Sequence, residues 1–247
     1  MLKPCRSFFC LLLMLILAGC GSSDVLAPVT ELKWQPDFKN QKKHIVQRGE
    51  TLFAIAFRYD TDYRNLARIN RLRSPYALRV GQVLSLQGIR HKTVVNGSAN
   101  TLQYSAQAPR PTTQRVISPP VNNIHSSGWL WPVNGHVTTS FMPAQGKKGI
   151  NIACKKGDKV RVSAGGVVAY AGNGLAGYGN LIIIKHNNEY LTAYGNNARN
   201  LVSEGQRVTA GQVIAEAGVI DRKYWGVHFE IRKAGTPINP LDYLQKG

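Results

Sequence analysis

The chain has 247 residues, a length that allows one large domain or two smaller ones, and 43% of its residues are hydrophobic, so a packed core is expected. Its 31 Lys and Arg against 13 Asp and Glu give a formal net charge of +18, which favours polyanions such as nucleic acid, anionic lipid or the carboxylates of peptidoglycan. The basic residues are scattered and form no compact run interleaved with aromatic residues, so nucleic acid is not expected as a partner.

The N-terminus is typical of a secretion signal. Lys3 and Arg6 precede an apolar run of about eleven residues, too short at ~1.5 Å per residue to span a ~30 Å hydrocarbon core. The run ends in Leu-Ala-Gly-Cys at 17–20, which resembles a bacterial lipobox. The resemblance implies a lipoprotein signal peptide over 1–19 and a lipid on Cys20. By analogy with Gram-negative lipoproteins, Gly at the next position favours the outer membrane and a chain that faces the periplasm. The alternative is an ordinary signal peptide with a chance cysteine.

The cysteine count is consistent with this interpretation. Cys5 and Cys10 would leave with the signal, and Cys20 would be acylated. Only Cys154 remains, so no intramolecular disulfide is expected, and we interpret Cys154 as a small buried hydrophobic residue.

Changes in composition divide the rest of the chain into four parts, and the predicted fold class is α+β. Residues 20–43 are polar and predict a lipidated tether. Residues 44–87 are strongly patterned. Residues 88–128, rich in Pro, Gly, Ser, Thr, Gln and Asn, predict a flexible linker. Residues 129–247 are rich in Val, Ile, Gly and aromatic residues with turn signals every eight to twelve positions, which predicts a mostly antiparallel all-β domain.

The first patterned segment predicts a small β-α-α-β module. Apolar runs at 44–46 and 83–86 predict two strands. Between them, Thr51 can cap a first helix, and Asn70, which tolerates left-handed geometry, can end a second one. One face of the first helix, at three- and four-residue spacing, is formed by Leu52, Ile55, Ala56 and Tyr59.

This module resembles a LysM domain. The residues that carry the resemblance are Val46, Gly49, Glu50, Thr51, Leu52, Ile55, Ala56, Tyr59, Leu66, Asn70, Pro75, Val80, Gly81, Gln82, Leu84 and Leu86. The resemblance implies binding to the N-acetylglucosamine-containing glycan of peptidoglycan through two turns, where backbone groups can bond acetamido groups. The candidate glycan-binding residues are Gly49, Glu50, Thr51, Leu52, Tyr76, Leu78, Arg79 and Val80. The alternative is that these residues only hold the small fold together, which is our interpretation of Leu52.

The second domain is predicted to contain seven strands. They are Val137–Phe141, Val160–Val162, Val167–Ala171, Leu181–His186, Tyr190–Tyr194, Gln212–Glu216 and Val227–Arg232. Several runs in this region resemble the LytM/lysostaphin-type metallopeptidase family. They are Trp131–Gly135, Lys148–Ile152, Gly177–Leu181, Leu191–Tyr194, Val208–Gln212, His228–Arg232 and Asn239–Leu244.

Active members of that family use three zinc ligands, a His and an Asp in an H-x-G-x-D run and the last His of an H-x-H run, together with two further histidines. Three protein ligands leave a fourth position for a water activated by the metal. Here Lys147 and Asn151 stand in the first run, Asn196 replaces one of the further histidines and Gly226 the other, so only His228 matches a ligand. An ammonium ~4 Å from a dication costs roughly 8 kcal/mol at an effective dielectric of 20. We therefore predict no metal, no other cofactor and no peptide cleavage.

The combination of lipobox, LysM and a degenerate LytM-like domain resembles NlpD-type murein-hydrolase activator lipoproteins. The resemblance implies that the groove docks a periplasmic N-acetylmuramoyl-L-alanine amidase, displaces an autoinhibitory element and promotes septal wall hydrolysis and daughter-cell separation. The predicted contacts are Lys147, Asn151, Asn196, Gly226 and His228. Two alternatives remain open, an active zinc endopeptidase that cleaves peptidoglycan cross-links and a purely structural tether between outer membrane and wall.

Overall fold

The computed structural model describes residues 41–88 and 128–245, and all of them belong to one compact unit of the chain. The predicted signal peptide, the lipidation site at Cys20, most of the tether and nearly all of the linker lie outside the described residues. Within the described ranges, no helix has both the length and the apolar character needed to cross a membrane.

Residues 41–88, hereafter the LysM module, have the predicted β-α-α-β order. The elements are β1 (Lys43–Ile45), α1 (Leu52–Arg58), α2 (Tyr63–Ile69) and β2 (Val83–Ser85). The two strands are antiparallel, with His44 opposite Leu84. The core of the module is formed by the predicted face of α1 together with α2 and β2 residues such as Leu66 and Leu84.

Side-chain hydrogen bonds fix the helix ends. Thr51 caps α1, as predicted, because its hydroxyl accepts from the N–H of Ala54 at 3.1 Å. Asn70 ends α2, but not in the left-handed conformation that the sequence suggested, since its φ is −100° and the left-handed residue is Arg71. Instead, the Asn70 amide donates to the carbonyls of Leu66 and Ser85 at 2.9 Å and accepts from the N–H of Ser85 at 2.6 Å, which pins α2 to β2.

Helix α1 is buried on two sides. The sequence predicted only the face that packs inside the LysM module. On the other side, Ala54 and Phe57 are 0% and 2% exposed, because they pack into a cluster with residues of the second domain, among them Tyr170, Leu175 and Tyr178. A short helix that is apolar all round is one that is enclosed by other elements.

Residues 128–245, hereafter the second domain, form a mostly antiparallel β-sheet. The strands are β3 (His136–Thr139), β4 (Ile150–Ala153), β5 (Lys159–Arg161), β6 (Gly166–Gly172), β7 (Asn180–Lys185), β8 (Tyr190–Asn200), β9 (Arg207–Val208), β10 (Val213–Ile220), β11 (Tyr224–Lys233) and β12 (Thr236–Ile238). The main order is β3-β4-β11-β10-β8-β7-β6-β9. Three further pairings lie outside this order: strand β11 also pairs with β12 and with β8, and strand β10 also pairs with β5. Short 3₁₀ turns occupy Pro143–Gln145 and Pro240–Asp242.

The seven predicted strands are present, but β4, β9 and β12 were missed, and β6, β8, β10 and β11 are longer than predicted. Strand β4 has only four residues and lacks a simple alternation of apolar and polar side chains, yet all four are buried between β3 and β11. Strand β8 extends beyond its apolar run into polar residues, and β10 extends to Ile220, so that Asn197 of the first extension pairs with Ala217 of the second. These pairings depend on tertiary context rather than on local pattern.

Strand β11 separates the core of the second domain from its polar site. Val227, Phe229 and Ile231 belong to the main apolar cluster. Because successive side chains of a strand point to opposite faces, the residues between them lie on the other face. That face carries His228 and Glu230, followed by Arg232, and each is less than 7% exposed.

We expect Asn70→Ala to destabilise the LysM module by about 2–3 kcal/mol, because three hydrogen bonds are lost, one to Leu66 of α2 and two to Ser85 of β2. The free energy of unfolding, measured by urea titration and circular dichroism, checks this. The matched control is Asn65→Ala, since the Asn65 side chain only accepts one exposed bond from Arg68. Equal effects of the two substitutions would contradict the role assigned to Asn70.

Candidate functional site

Three strands bring together residues that are far apart in the sequence. In the sheet register, His228 of β11 lies opposite Asn151 of β4 on one side and opposite Gly195 of β8 on the other. The central position of β11 therefore places His228 at the floor of the site, next to the two strands that carry the other predicted groove residues. Asn196 follows Gly195 directly.

The floor of the site is a buried chain of hydrogen bonds. His228 Nδ1 lies 2.7 Å from Oδ1 of Asn151, and Nε2 lies 3.0 Å from Oε1 of Glu230. A carboxylate can only accept, so Nε2 carries a proton and donates to Glu230. His228 and Asn151 are 6% and 8% exposed, and Glu230 is fully buried. Both ring nitrogens of His228 are thus engaged with protein oxygens.

The remaining predicted groove residues surround this floor in different ways. Lys147 is exposed, whereas the neighbouring Lys148 is largely buried, so the amine that reaches inward is not the predicted one. Asn196 has a left-handed φ of 59°, and its N–H donates to the carbonyl of Tyr178 at 2.7 Å. Gly226 is buried, and a Cβ added there would lie 2.5 Å from the carbonyl oxygen of Ile152, so the close approach of β4 leaves no room for a side chain.

These residues do not fit a zinc ion. The only imidazole at a ligand position has both nitrogens in hydrogen bonds, and the positions of the second and third ligands hold an exposed ammonium and an amide, neither of which is a ligand type that zinc prefers. Among residues 41–88 and 128–245, no group of three or more His, Cys, Asp or Glu could hold a metal ion. What the site has instead of a ligand set is a network of hydrogen bonds between fixed side chains.

A second part of the site joins Glu230 to the LysM module through Arg232. The guanidinium of Arg232, 1% exposed, donates to Glu230 Oε2 at 2.8 Å, to the carbonyl of Phe57 at 2.8 Å and to Oδ1 of Asp60 at 2.8 Å. The other Asp60 oxygen accepts from the ammonium of Lys148. Two cations and two anions therefore form one cluster without excess charge, which is what burial of ionised groups requires.

Burial and neighbouring charges together set the pKa values of these groups. Burial disfavours the carboxylate of Glu230, but Arg232 and the hydrogen bond from His228 hold the pKa of Glu230 below its usual value. Burial and the neighbouring charge of Arg232 lower the pKa of Lys148, although Asp60 partly opposes this. Tyr178, which donates to Glu230 Oε1 at 2.9 Å, has a pKa well above its usual value because it is buried beside that carboxylate.

Some of the candidate glycan-binding residues lie on the surface of the LysM module, and others are buried in it. Gly49, Arg79 and Val80 are exposed, while Tyr76 and Leu78 are partly buried. Leu52 is 1% exposed and belongs to the core of the LysM module, in agreement with its structural interpretation.

Glu50 and Thr51 are held from inside the protein. The carboxylate of Glu50 accepts from His44 Nε2 at 2.7 Å, from the N–H of Gln47 at 2.8 Å and pairs with Arg58 at 2.8 Å. Burial alone would raise the pKa of Glu50, but these donors hold it below its usual value. Glu50 therefore fixes the turn before α1, and Thr51 caps the helix that follows.

Phe53 also lies beside the candidate glycan-binding residues, although it was not predicted to do so. Its ring lies 6.2 Å from that of Tyr76 and 4.6 Å from that of Tyr63, so it joins the turn before α1 to the loop before β2. An aromatic residue one position after an apolar core residue was the available signal, because such a side chain leaves the core face of the helix.

Two other histidines of the second domain and Cys154 lie apart from the cluster around His228. His186 is bonded to the carbonyl of Gly165 at 2.9 Å and to the Thr192 hydroxyl at 2.8 Å, and burial lowers the pKa of His186 to about 4. His136 is exposed on β3. Cys154 is half-buried rather than fully buried as predicted, and burial raises the pKa of Cys154 to about 11, so its thiol stays protonated.

Comparisons with known proteins agree with both resemblances in the sequence. Residues 44–87 match the family model of the LysM domain, and residues 145–240 match the model of Peptidase family M23. The second match includes all five predicted groove residues.

Curated relatives resemble the chain over most of its length. The lipoprotein NlpD/LppB homolog of Pseudomonas aeruginosa is 39% identical over 83% of this chain and 77% of its own. The uncharacterized lipoprotein YgeR of Escherichia coli is 37% identical over 93% of this chain and 88% of its own. The murein hydrolase activator NlpD of Escherichia coli is 37% identical over 81% of this chain and 67% of its own.

We expect the wild-type chain to hold far less than one zinc per molecule, and the double variant K147H/N151D to bind zinc, because it restores the two missing ligand types beside His228. Plasma mass spectrometry of protein dialysed against trace zinc checks this. Each single variant still lacks a ligand and serves as a control. Stoichiometric zinc in the wild-type protein would contradict our account of the site.

We expect Glu230→Gln to lower the free energy of unfolding by about 3–5 kcal/mol near neutral pH, because Arg232 loses its buried anion. The pKa of Glu230 is lowered from 4.5 in the folded chain, so its contribution is fully present above pH 4.5 and is lost as the pH falls through the folded pKa. The difference between wild type and variant should therefore shrink in acid. Urea titrations between neutral and acid pH measure it. The control is Glu216→Gln at a surface ion pair, for which a much smaller difference is expected.

Proposed function

Because the chain belongs to the NlpD/LppB family of lipoproteins and carries both a LysM domain and a Peptidase family M23 domain, we propose that it is a non-enzymatic activator of periplasmic N-acetylmuramoyl-L-alanine amidases. In this proposal, a lipid on Cys20 anchors the chain in the outer membrane facing the periplasm, and the LysM module binds peptidoglycan. The groove of the second domain docks the amidase. The outcome is septal wall hydrolysis and separation of daughter cells.

One observation carries the proposal that the domain performs no hydrolysis. The imidazole at the remaining ligand position bonds to Asn151 and Glu230 through its two nitrogens, at 2.7 and 3.0 Å. A metal at this position would have to displace one of these bonds and would then lack two of its three protein ligands. Without a metal-bound water there is no nucleophile for a peptide bond in this kind of site.

The same residues suit a docking role. The floor around His228 is fixed by hydrogen bonds on a central strand, and a rigid, pre-formed surface binds a partner with little loss of conformational entropy. At the rim, Lys147 is exposed and available to an acidic group of an amidase. The name of the Escherichia coli relative, murein hydrolase activator, supports a regulatory role for this groove.

The proposed mechanism is a shift of the amidase between a closed and an open state. The groove must bind the open amidase more tightly than the closed one, since a partner that binds both equally shifts nothing. A change from ~1% open to ~99% open needs about 5.5 kcal/mol of preference. The LysM module and the lipid raise the local concentration of the activator at the wall, and the net charge of +18 favours the anionic wall itself.

We expect Lys147→Glu to lower amidase stimulation by about tenfold, the effect of ~1.4 kcal/mol at the docking rim. The assay is dye release from labelled sacculi by each periplasmic amidase together with the chain lacking residues 1–20. The matched control is Arg207→Glu, an equal charge change on the exposed edge strand β9 at the far side of the sheet, which should leave stimulation unchanged.

The same assay separates the alternatives. Dye release by the chain alone, lost on zinc chelation, would indicate an active endopeptidase. Unchanged amidase rates with every amidase would indicate a structural tether. Equal losses for Lys147→Glu and Arg207→Glu would reject the groove as the docking site while leaving activation itself intact.

A further inference from the structure

We infer that helix α1 couples glycan binding by the LysM module to amidase binding by the groove of the second domain. In this inference, α1 covers one flank of the groove, and a glycan that binds at the turn before α1 releases the helix from the second domain. This inference rests on the proposed function and adds its regulation. Peptidoglycan and amidase would then strengthen each other's binding.

The apolar side of α1 covers a surface that belongs to the site. The Phe57 ring lies 5.3 Å from that of Tyr178 and packs on the guanidinium of Arg232 at 3.5 Å. The ring of Tyr178 in turn lies 5.8 Å from that of His228. Phe57, Tyr178 and His228 thus form a continuous layer from the LysM module to the floor of the groove.

A polar contact reinforces this cover. Asp60, just after α1, receives bonds from both Arg232 and Lys148. Within the described residues, these contacts complete the charge balance of the cluster that includes Glu230. When α1 is docked, Asp60 therefore supplies the anion that Arg232 and Lys148 need. When α1 leaves, these two cations are exposed to solvent or to an acidic partner.

The turn that begins α1 is in contact with the second domain as well. The Thr51 hydroxyl, in addition to capping the helix, donates to the carbonyl of Ala169 at 3.1 Å. Arg58, at the other end of α1, donates to the carbonyl of Gly174 at 3.0 Å and pairs with Glu50. A glycan that accepts a hydrogen bond from the Thr51 hydroxyl, or that displaces the turn with Glu50, therefore competes with the contacts that hold α1 on the second domain. These contacts lie at both ends of the helix, at Thr51 and at Arg58.

The backbones also fit closely beside Asp60. A Cβ added to Gly235, in the turn between β11 and β12, would lie 2.2 Å from the carbonyl carbon of Thr61 and 2.4 Å from the N–H nitrogen of Asp62. One methyl group at Gly235 is therefore a wedge between the LysM module and the second domain. The same turn conformation occurs at Gly205, with an equal φ of +82°, where an added Cβ meets no atom within 4 Å.

The coupling follows from linkage. If α1 covers the groove, an amidase binds only the released fraction of molecules, so its apparent affinity is reduced by that fraction. A glycan that prefers the released form raises the fraction, and by reciprocity an amidase tightens glycan binding by the same factor.

The test uses Gly235→Ala with Gly205→Ala as its matched control, since both substitutions strain a left-handed turn but only the first meets the LysM module. The protein is the chain lacking residues 1–20, and the glycan probe is a soluble N-acetylglucosamine oligomer. Hydrogen exchange of residues 54–61 and 175–181 reports release of α1. Calorimetry reports amidase affinity with and without the oligomer.

We expect the oligomer to speed exchange in both segments of the wild type and to tighten amidase binding by about tenfold or more. Gly235→Ala should bind the amidase tightly without the oligomer, whereas Gly205→Ala should behave as the wild type. Exchange that the oligomer leaves unchanged, or equal behaviour of the two variants, overturns the coupling.

Asp60→Asn provides a second variant in case Gly235→Ala does not fold. Asn is suited to the left-handed φ of 49° at this position, so the substitution removes the anion with little backbone strain. It should also speed exchange and tighten amidase binding. If no form of the chain binds any amidase, the proposed function fails, and the exchange measurement still decides whether glycan releases α1.

Discussion

The structure depends on the burial of one cation, the guanidinium of Arg232. A charge that is 1% exposed is stable only with an anion and enough acceptors around it. Glu230 supplies the anion from the same strand, while Asp60 and the Phe57 carbonyl supply the remaining acceptors from the LysM module. Because Glu230 also holds His228, this one requirement links the folding of the sheet, the hydrogen bonding of His228 and the attachment of the LysM module.

The polar site and the apolar core lie on opposite faces of the same strand. The imidazole of His228, at the centre of β11, is held by hydrogen bonds between Asn151 and Glu230. The packing of Val227, Phe229 and Ile231 on the opposite face does not involve these polar residues. The residues of the polar face can therefore change while the core that shapes the sheet is kept.

Local features of the sequence were sufficient for much of the fold. The cap at Thr51, the core face of α1 and most strands of the second domain were predicted, because capping and apolar periodicity depend on neighbouring residues. That Asn151 lies beside His228 could be expected only from the motif positions that the resemblance supplied, because the two residues are far apart in the sequence. The inward direction of Lys148 rather than Lys147 was not predicted, and neither was the second buried face of α1. Both depend on contacts with residues more than eighty positions away, such as that between Lys148 and Asp60, which no local pattern encodes.

Gly226 has a consequence for the evolution of this domain. Its strand approaches β4 so closely that the space for any side chain is filled by the carbonyl of Ile152. A residue with a side chain can replace this glycine only if two paired strands move apart. Selection at position 226 therefore acts on the spacing of the main chain, and a substitution there becomes tolerable only after other changes have widened the gap between β4 and β11.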